Sequence, residues 1–168
     1  MSVRVGIALG SNLGNRLKHL QEAREMLRRI SSGGDLLQAP IYQTEPVNCP
    51  PDSPDFYNTV VEIDYSGSPH DLLDATQAIE FHLGRQAAAE RNAPRIIDVD
   101  ILYFGAEQLS GGILEIPHPR LLSRRFVLQP LADIRPDLIL PGDDAPVSEH
   151  LHHLDSTELP LVMVQAVW

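Results

Sequence analysis

Cysteine is almost missing: Cys49 is the single one in 168 residues. One thiol excludes an internal disulfide and any metal centre built on several cysteines. Cys49 follows Asn48 and precedes Pro50-Pro51, which reads as a loop thiol rather than a nucleophile. Lysine is equally rare, with Lys18 alone, and aromatics make up only 5%. Positive charge is short overall: 13 Lys and Arg stand against 23 Asp and Glu, a formal net charge of -10. That balance argues against broad nucleic-acid binding, which relies on a basic surface. No apolar run reaches spanning length; the stretch Leu159 to Val167 is interrupted by Pro160 and Gln165. The run Val3 to Leu9 is broken at once by Gly10-Ser11-Asn12 and does not read as a signal peptide. Glycine-rich phosphate loops are missing too. Only three residues separate Gly10 from Gly14, and neither Gly-x-x-x-x-Gly-Lys-Ser/Thr nor Gly-x-Gly-x-x-Gly occurs. Any nucleotide must therefore be held by side chains and metal. These absences lead to an expected cytoplasmic location with no membrane and no nucleic-acid partner.

What is present suits one domain over residues 1–168, with 43% apolar residues for its core. Residues 3–9 alternate and read as a strand. A helix is expected at about 15–30, with Leu17, Leu20, Ala23, Leu27 and Ile30 on one face. A second strand is expected at 36–43 and a third at 57–65. Between them lies a loop, Glu45 to Asp55, holding prolines 46, 50, 51 and 54. A structureless loop of that length in a compact domain is usually functional. Ser68-Pro69 opens a second helix, with Leu72, Leu73, Thr76, Ile79 and Leu83 on its buried side and Gly84 as its stop. A fourth strand covers Ile96 to Phe104, a hairpin return is expected from Ile113 to Ile116, and a last apolar strand ends the chain. Strand-helix-strand, twice over, is the split βαβ arrangement: an antiparallel sheet with helices on one face.

Charge is unevenly spread. No Lys or Arg occurs between Arg29 and Arg85, whereas Arg85, Arg91, Arg95, Arg120, Arg124 and Arg125 then fall in one stretch with His118. Arginine suits two-pronged contact with phosphate, so this stretch reads either as an anion pocket or as solvated surface. Within it, Asp98 and Asp100 alternate with Ile97, Val99 and Ile101. Alternate strand residues share a face, so the two carboxylates point the same way from roots roughly 6–7 Å apart. An arginine could pair with them; so could magnesium, which takes one or two carboxylates plus substrate phosphates. His118 is either a hydrogen-bonded structural histidine or, beside Arg124 or Arg125, a donor to a phosphoryl oxygen. Phe56 and Phe126 are either core residues or rings between which a flat heterocycle stacks, with Asn58 reading its edge.

These segments resemble the 6-hydroxymethyl-7,8-dihydropterin pyrophosphokinase family over nearly the whole chain. The resemblance is carried by Ala8-Leu9-Gly10-Ser11-Asn12-Leu13-Gly14, Tyr42-Gln43-Thr44-Glu45-Pro46, Phe56-Tyr57-Asn58, Gln77 with Glu80 and Gly84-Arg85, Pro94 through Leu102, and Pro117-His118-Pro119-Arg120 through Leu131. It implies an α+β fold, a ferredoxin-like βαββαβ sandwich with an antiparallel sheet, helices packed on one face and a C-terminal extension. The implied reaction moves a diphosphate from ATP to the pterin hydroxymethyl group, giving AMP, in folate biosynthesis. The implied cofactor is Mg2+, two ions, held by Asp98 and Asp100, which with Arg85 and Arg95 form the catalytic set. Gln77, Arg85, Arg95, His118 and Arg124 are implied along the nucleotide, with Ile101 helping to enclose the adenine. Phe56 and Phe126 are implied to sandwich the pterin, with Asn58 and the backbone at Thr44 and Val47 reading its edge. Glu80 is expected to support the site, and family precedent leans to a monomer. The loop after Arg85 departs from the family: Ala87 and Asn92 stand where an arginine and a tryptophan are usual, and Ala93 replaces a glycine. Activity is expected to be retained, with weaker loop closure or nucleotide affinity. Three competitors remain: a binding paralogue without turnover, a metal-dependent phosphohydrolase, and a regulatory module of the same fold.

Overall fold

The computed structural model describes residues 1–45, 52–84, 96–154 and 161–168. Strand β1 (Val3–Ser11) alternates as its sequence does, sending Val5, Ile7 and Leu9 into one core. Helix α1 (Arg16–Ile30) and helix α2 (Pro69–His82) close that core. The Asn15 side chain caps α1 by accepting from the Lys18 amide, and Leu20, Ala23 and Leu27 are buried at helical spacing. In α2, Ser68 and Asp71 form a reciprocal capping box, Pro69 sits in the first turn, and Leu72, Thr76 and Ile79 are buried. The chain leaves α2 through Gly84 at a φ of 103°, a left-handed conformation that glycine adopts without strain.

The sheet is antiparallel, in the order β5-β1-β4-β3-β6, with β2 beside β4. The strand expected at 36–43 divides into β2 (Leu36–Gln38) and β3 (Ile41–Thr44). Pro40 sits at the break and has no amide to give to the ladder. With these two pieces taken as one strand beside β4 (Phe56–Tyr65), and β5 (Asp98–Phe104) on the far side of β1, the order is the ferredoxin-like one. The return strand expected at 113–116 is a correction: only Leu109 and Ile116 bridge, and Ile113 is exposed. The last strand is β6 (Val162–Gln165), on the outer side of β3.

A bulge on β5 divides its side chains between two cores. Gly6 faces Tyr103 and Ile7 faces Ile101, so Leu102 is one residue too many for β1. Val99, Ile101 and Phe104 join the core under α1 and α2, whereas Leu102 and Tyr103 enter a second core with Val60, Val127, Leu128 and Leu131. The Tyr103 ring takes the space beside Gly6, where an added Cβ would lie 2.2 Å from its Cε1. Helices α3 (Arg125–Ile134) and α4 (Val147–His153) complete this second core. The C-terminal extension thus covers the sheet face opposite the two helices of the sandwich.

Candidate active site

Three strands bring the chemistry-bearing residues into one row. Gly10 on β1 pairs with Asp98 on β5 and with Asn58 on β4, and Asn58 in turn pairs with Tyr42 on β3. Directly opposed residues share a face. In the next row Ala8 stands between Asp100 and Val60, and Val60 belongs to the second core. Asp98 and Asp100 therefore lie on the same face as α3, at the end of the sheet beyond the residues α3 covers. Asp98 is half-buried and Asp100 exposed, so neither bears a deep desolvation cost, while Ile97 and Val99 are buried on the opposite face as alternation requires. Ile101 shares that opposite face and is 5% exposed among the helix-side residues.

Gly10 leaves this row open. A Cβ on it would lie 2.9 Å from Asn58 Oδ1 and 3.7 Å from Phe56 Cδ1. Asn58 is buried and donates through Nδ2 to Thr44 Oγ1 at 2.7 Å, so its orientation is fixed from β3. Phe56 and Phe126 are both half-buried, and no ring contact joins them among the described residues. The second half of the Pro-rich loop is tied to the same end of the sheet. Asn12 Nδ2 donates to the Pro54 carbonyl at 3.3 Å and Arg16 to the Asp55 carbonyl at 2.8 Å. Gln43 Nε2 reaches Asp55 Oδ2 at 2.8 Å, and the Arg16 guanidinium lies 4.0 Å over the Tyr57 ring.

The outer edge of β5 carries the remaining groups. Glu80 Oε2 on α2 accepts the Val99 amide at 2.9 Å, which ties α2 to the strand between the two aspartates. Gln77, one turn earlier on α2, is exposed. The His118 amide donates to the Leu102 carbonyl at 2.8 Å, and His118 Nδ1 accepts the Arg120 amide at 3.1 Å. The ring proton therefore sits on Nε2, which can donate. Burial first, then Arg124 and Arg120, lower the His118 pKa against a weaker opposing pull from Glu115. Arg124 lies 5.5 Å over the Phe126 ring, whereas Arg125 turns away to the Leu154 carbonyl at 3.3 Å. No acid occupies the first turn of α3, and Arg124 makes no side-chain cap. A helix start with orphan amides and arginines favours an anion.

Arg85, Arg95 and Val47 lie outside the described residues, as do Ala87, Asn92 and Ala93. Sequence reasoning missed the polar set under α3. Glu62 is wholly buried in mid-strand, bound by Arg135 and by the Tyr103 hydroxyl. A charged residue inside the apolar run Val60-Val61-Glu62-Ile63 was the available signal.

The family described as 7,8-dihydro-6-hydroxymethylpterin-pyrophosphokinase (HPPK) matches residues 6–136. The chain is similar to a 2-amino-4-hydroxy-6-hydroxymethyldihydropteridine pyrophosphokinase of Pseudomonas aeruginosa, 43% identical over 84% of this chain and 86% of that one. It is also similar to the protein of that name from Bacillus subtilis, 43% identical over 76% of this chain and 75% of that one. A folic acid synthesis protein of Pneumocystis carinii matches 95% of this chain at 37% identity, though only 21% of its own length is covered. Among solved structures, wild-type Plasmodium falciparum HPPK-DHPS with pterin and p-hydroxybenzoate has a TM-score of 0.70 at 14% identity. That likeness covers 90% of this chain and 42% of the solved one, and at such identity it supports the fold alone. With a family match across residues 6–136 and relatives at 43% identity over most of both chains, this protein belongs to the 7,8-dihydro-6-hydroxymethylpterin-pyrophosphokinase family.

Proposed function

We propose that this chain is an ATP-dependent diphosphotransferase that moves the diphosphate of ATP onto the hydroxymethyl group of 6-hydroxymethyl-7,8-dihydropterin, in folate biosynthesis. The observation that carries the reading is the row Asp98–Gly10–Asn58. It sets a carboxylate suited to a phosphate-bound cation two strands from an amide suited to a pterin edge, roughly 10 Å apart at the backbone. A transferring diphosphate spans that gap. The pterin hydroxyl attacks the β-phosphorus, the bond from that phosphorus to the α,β-bridging oxygen breaks, AMP departs with its electrons, and the hydroxyl proton passes to water or to one of the two aspartates. Such transfer needs positioning and charge neutralisation rather than covalent help.

The residues present fit magnesium. Asp98 and Asp100 offer two oxygen-donor side chains on one face, and no group of three metal-ligating side chains occurs among the described residues. Two carboxylates, with further sites left to water and phosphate, are what magnesium takes in nucleotide enzymes. Bound there, two Mg2+ ions would neutralise phosphate charge and polarise the phosphoryl oxygens.

The nucleotide in this reading wraps the outer edge of β5. His118 Nε2–H and Arg124 face its phosphates with Arg85 and Arg95, and the start of α3 adds its amides. Gln77 and Ile101 stand on the α2 side of β5, where the adenine is enclosed. Phe56 and Phe126 take the pterin between them, and Asn58 with the backbone at Thr44 and Val47 reads its edge. The described parts of the site come from one sheet and its own flanking elements, which supports one domain over residues 1–168 acting as a monomer. The lone cysteine supports a cytoplasmic setting. The test is AMP release with Mg-ATP, with and without the pterin alcohol. AMP formed only when the pterin is present is expected. Phosphate release from ATP alone would favour a phosphohydrolase, and binding of both substrates without AMP a paralogue lacking turnover.

A further inference from the structure

Away from the substrate row, the second face holds two polar clusters under α3 that the proposed chemistry does not use. The fully buried Glu62 accepts from Arg135 Nη1 at both oxygens, at 2.9 and 2.8 Å. The Tyr103 hydroxyl donates to the same carboxylate, and Arg4 Nη1 approaches it at 3.4 Å. On β3 the Tyr42 hydroxyl donates to Asp133, whose other oxygen accepts from Gln129 at 3.2 Å. Asp133 lies in the last turn of α3 and Arg135 is its C-cap. These contacts fasten α3 to the sheet at its C-terminal end.

The other end of α3 carries Arg124 and Phe126. Pro130 lies inside the helix and cannot donate to the carbonyl of Phe126, four residues back. The first turn therefore lacks one internal bond and depends more on how the rest of the helix is held. Phe126 and Arg135 are separated by about 13 Å along the axis. A tilt of about 4° at the anchor then moves Phe126 by about 1 Å, beyond the roughly 0.5 Å within which a functional group must be held.

We propose that Glu62, Arg135 and Tyr103, together with Tyr42 and Asp133, are positioning residues that set the height of Phe126 above the pterin slot and so determine pterin affinity. The inference rests on the reading of Phe126 as a pterin-stacking residue. The nucleotide in that reading also meets Arg124 and the first amides of α3, but Asp98, Asp100 and His118 lie off the helix and do not move with it, so nucleotide affinity falls by less than pterin affinity.

The test compares the parent with Glu62→Gln, Tyr103→Phe and Arg135→Lys. Pterin binding is followed by fluorescence in the presence of Mg and a non-hydrolysable ATP analogue, and analogue binding by calorimetry. Glu62→Gln should weaken pterin binding about tenfold and Tyr103→Phe severalfold, with analogue affinity within about threefold of the parent. Arg135→Lys, which keeps one donor to Glu62, should lie nearer the parent than Glu62→Gln. Folded variants with a lowered Tm and unchanged pterin affinity would overturn the proposal, because the set would then be structural only. Equal weakening of both ligands would overturn it as well. Should Glu62→Gln fail to fold, Tyr103→Phe decides alone, since it removes one hydroxyl and keeps the ring over Gly6. A parent that binds the analogue but no pterin would instead sink the pterin-site reading itself.

Discussion

Replacing Gly10 by alanine probes the whole site with one methyl group. The added Cβ would lie 2.9 Å from Asn58 Oδ1, closer than real Cβ contacts allow, and 3.7 Å from Phe56 Cδ1, which is ordinary contact. The burden thus falls on Asn58 alone. That side chain is buried and held at 2.7 Å by Thr44, so it must either rotate off Thr44 or tilt away from β1. Overpacking of this kind costs about 1–3 kcal/mol, set against a gain of about 0.4–1 kcal/mol from a stiffer unfolded chain. The net loss shifts Tm by no more than about 10 °C for a chain of this size. The functional loss is larger relative to the change. In the proposed reading a displaced Asn58 no longer matches the pterin edge, and one lost hydrogen bond to a buried group costs about 1–3 kcal/mol, or about five- to 150-fold in affinity. Steady-state kinetics of Gly10→Ala should show kcat/KM for the pterin reduced by at least about fivefold, with KM for ATP within about twofold of the parent. A folded variant with pterin kcat/KM unchanged, or with both substrates equally impaired, would refute the reasoning.

Asp98→Ala should weaken binding of a non-hydrolysable ATP analogue in the presence of Mg by about tenfold or more, and calorimetry with and without Mg should show the metal's benefit largely gone; equal affinities for parent and variant would place the cation elsewhere. The depressed His118 pKa has a definite sign: the folded chain resists protonation, so the contribution to stability is present above the ordinary value of 6.5 and is lost as pH falls from there toward the folded pKa. In the proposed reading, phosphate bound beside His118 pulls that pKa back up. Nuclear magnetic resonance titration of the His118 ring should show an upward shift on adding the analogue, and parent affinity should exceed that of His118→Ala by more at pH 6 than at pH 8. Ser68→Ala breaks the capping box of α2 far from the substrate row. It should cost about 1 kcal/mol, read as a Tm lower by about 2–4 °C, with kinetic constants unchanged.

The sequence by itself determined what depends on neighbours along the chain. Asn15 and Ser68 cap where their short polar side chains can reach the next turn, and Gly84 ends α2 because its backbone must turn left-handed. Asp98 and Asp100 share a face because strand geometry has a period of two. The ordered motifs were specific enough to identify the family. Only the tertiary structure decided what depends on partners far away in sequence. Alternation could not tell which sheet face the aspartates occupy, because that follows from pairing Gly10 with both Asp98 and Asn58. It could not foresee the bulge at Leu102, which sends Tyr103 over Gly6 toward Glu62. Nor could it separate Arg124 from Arg125, adjacent in sequence yet directed to Phe126 and to the Leu154 carbonyl by helix geometry. Glu62 was readable as a charge in an apolar strand, but its partners lie 41 and 73 residues away, and long-range electrostatic pairing leaves no periodic trace along the chain.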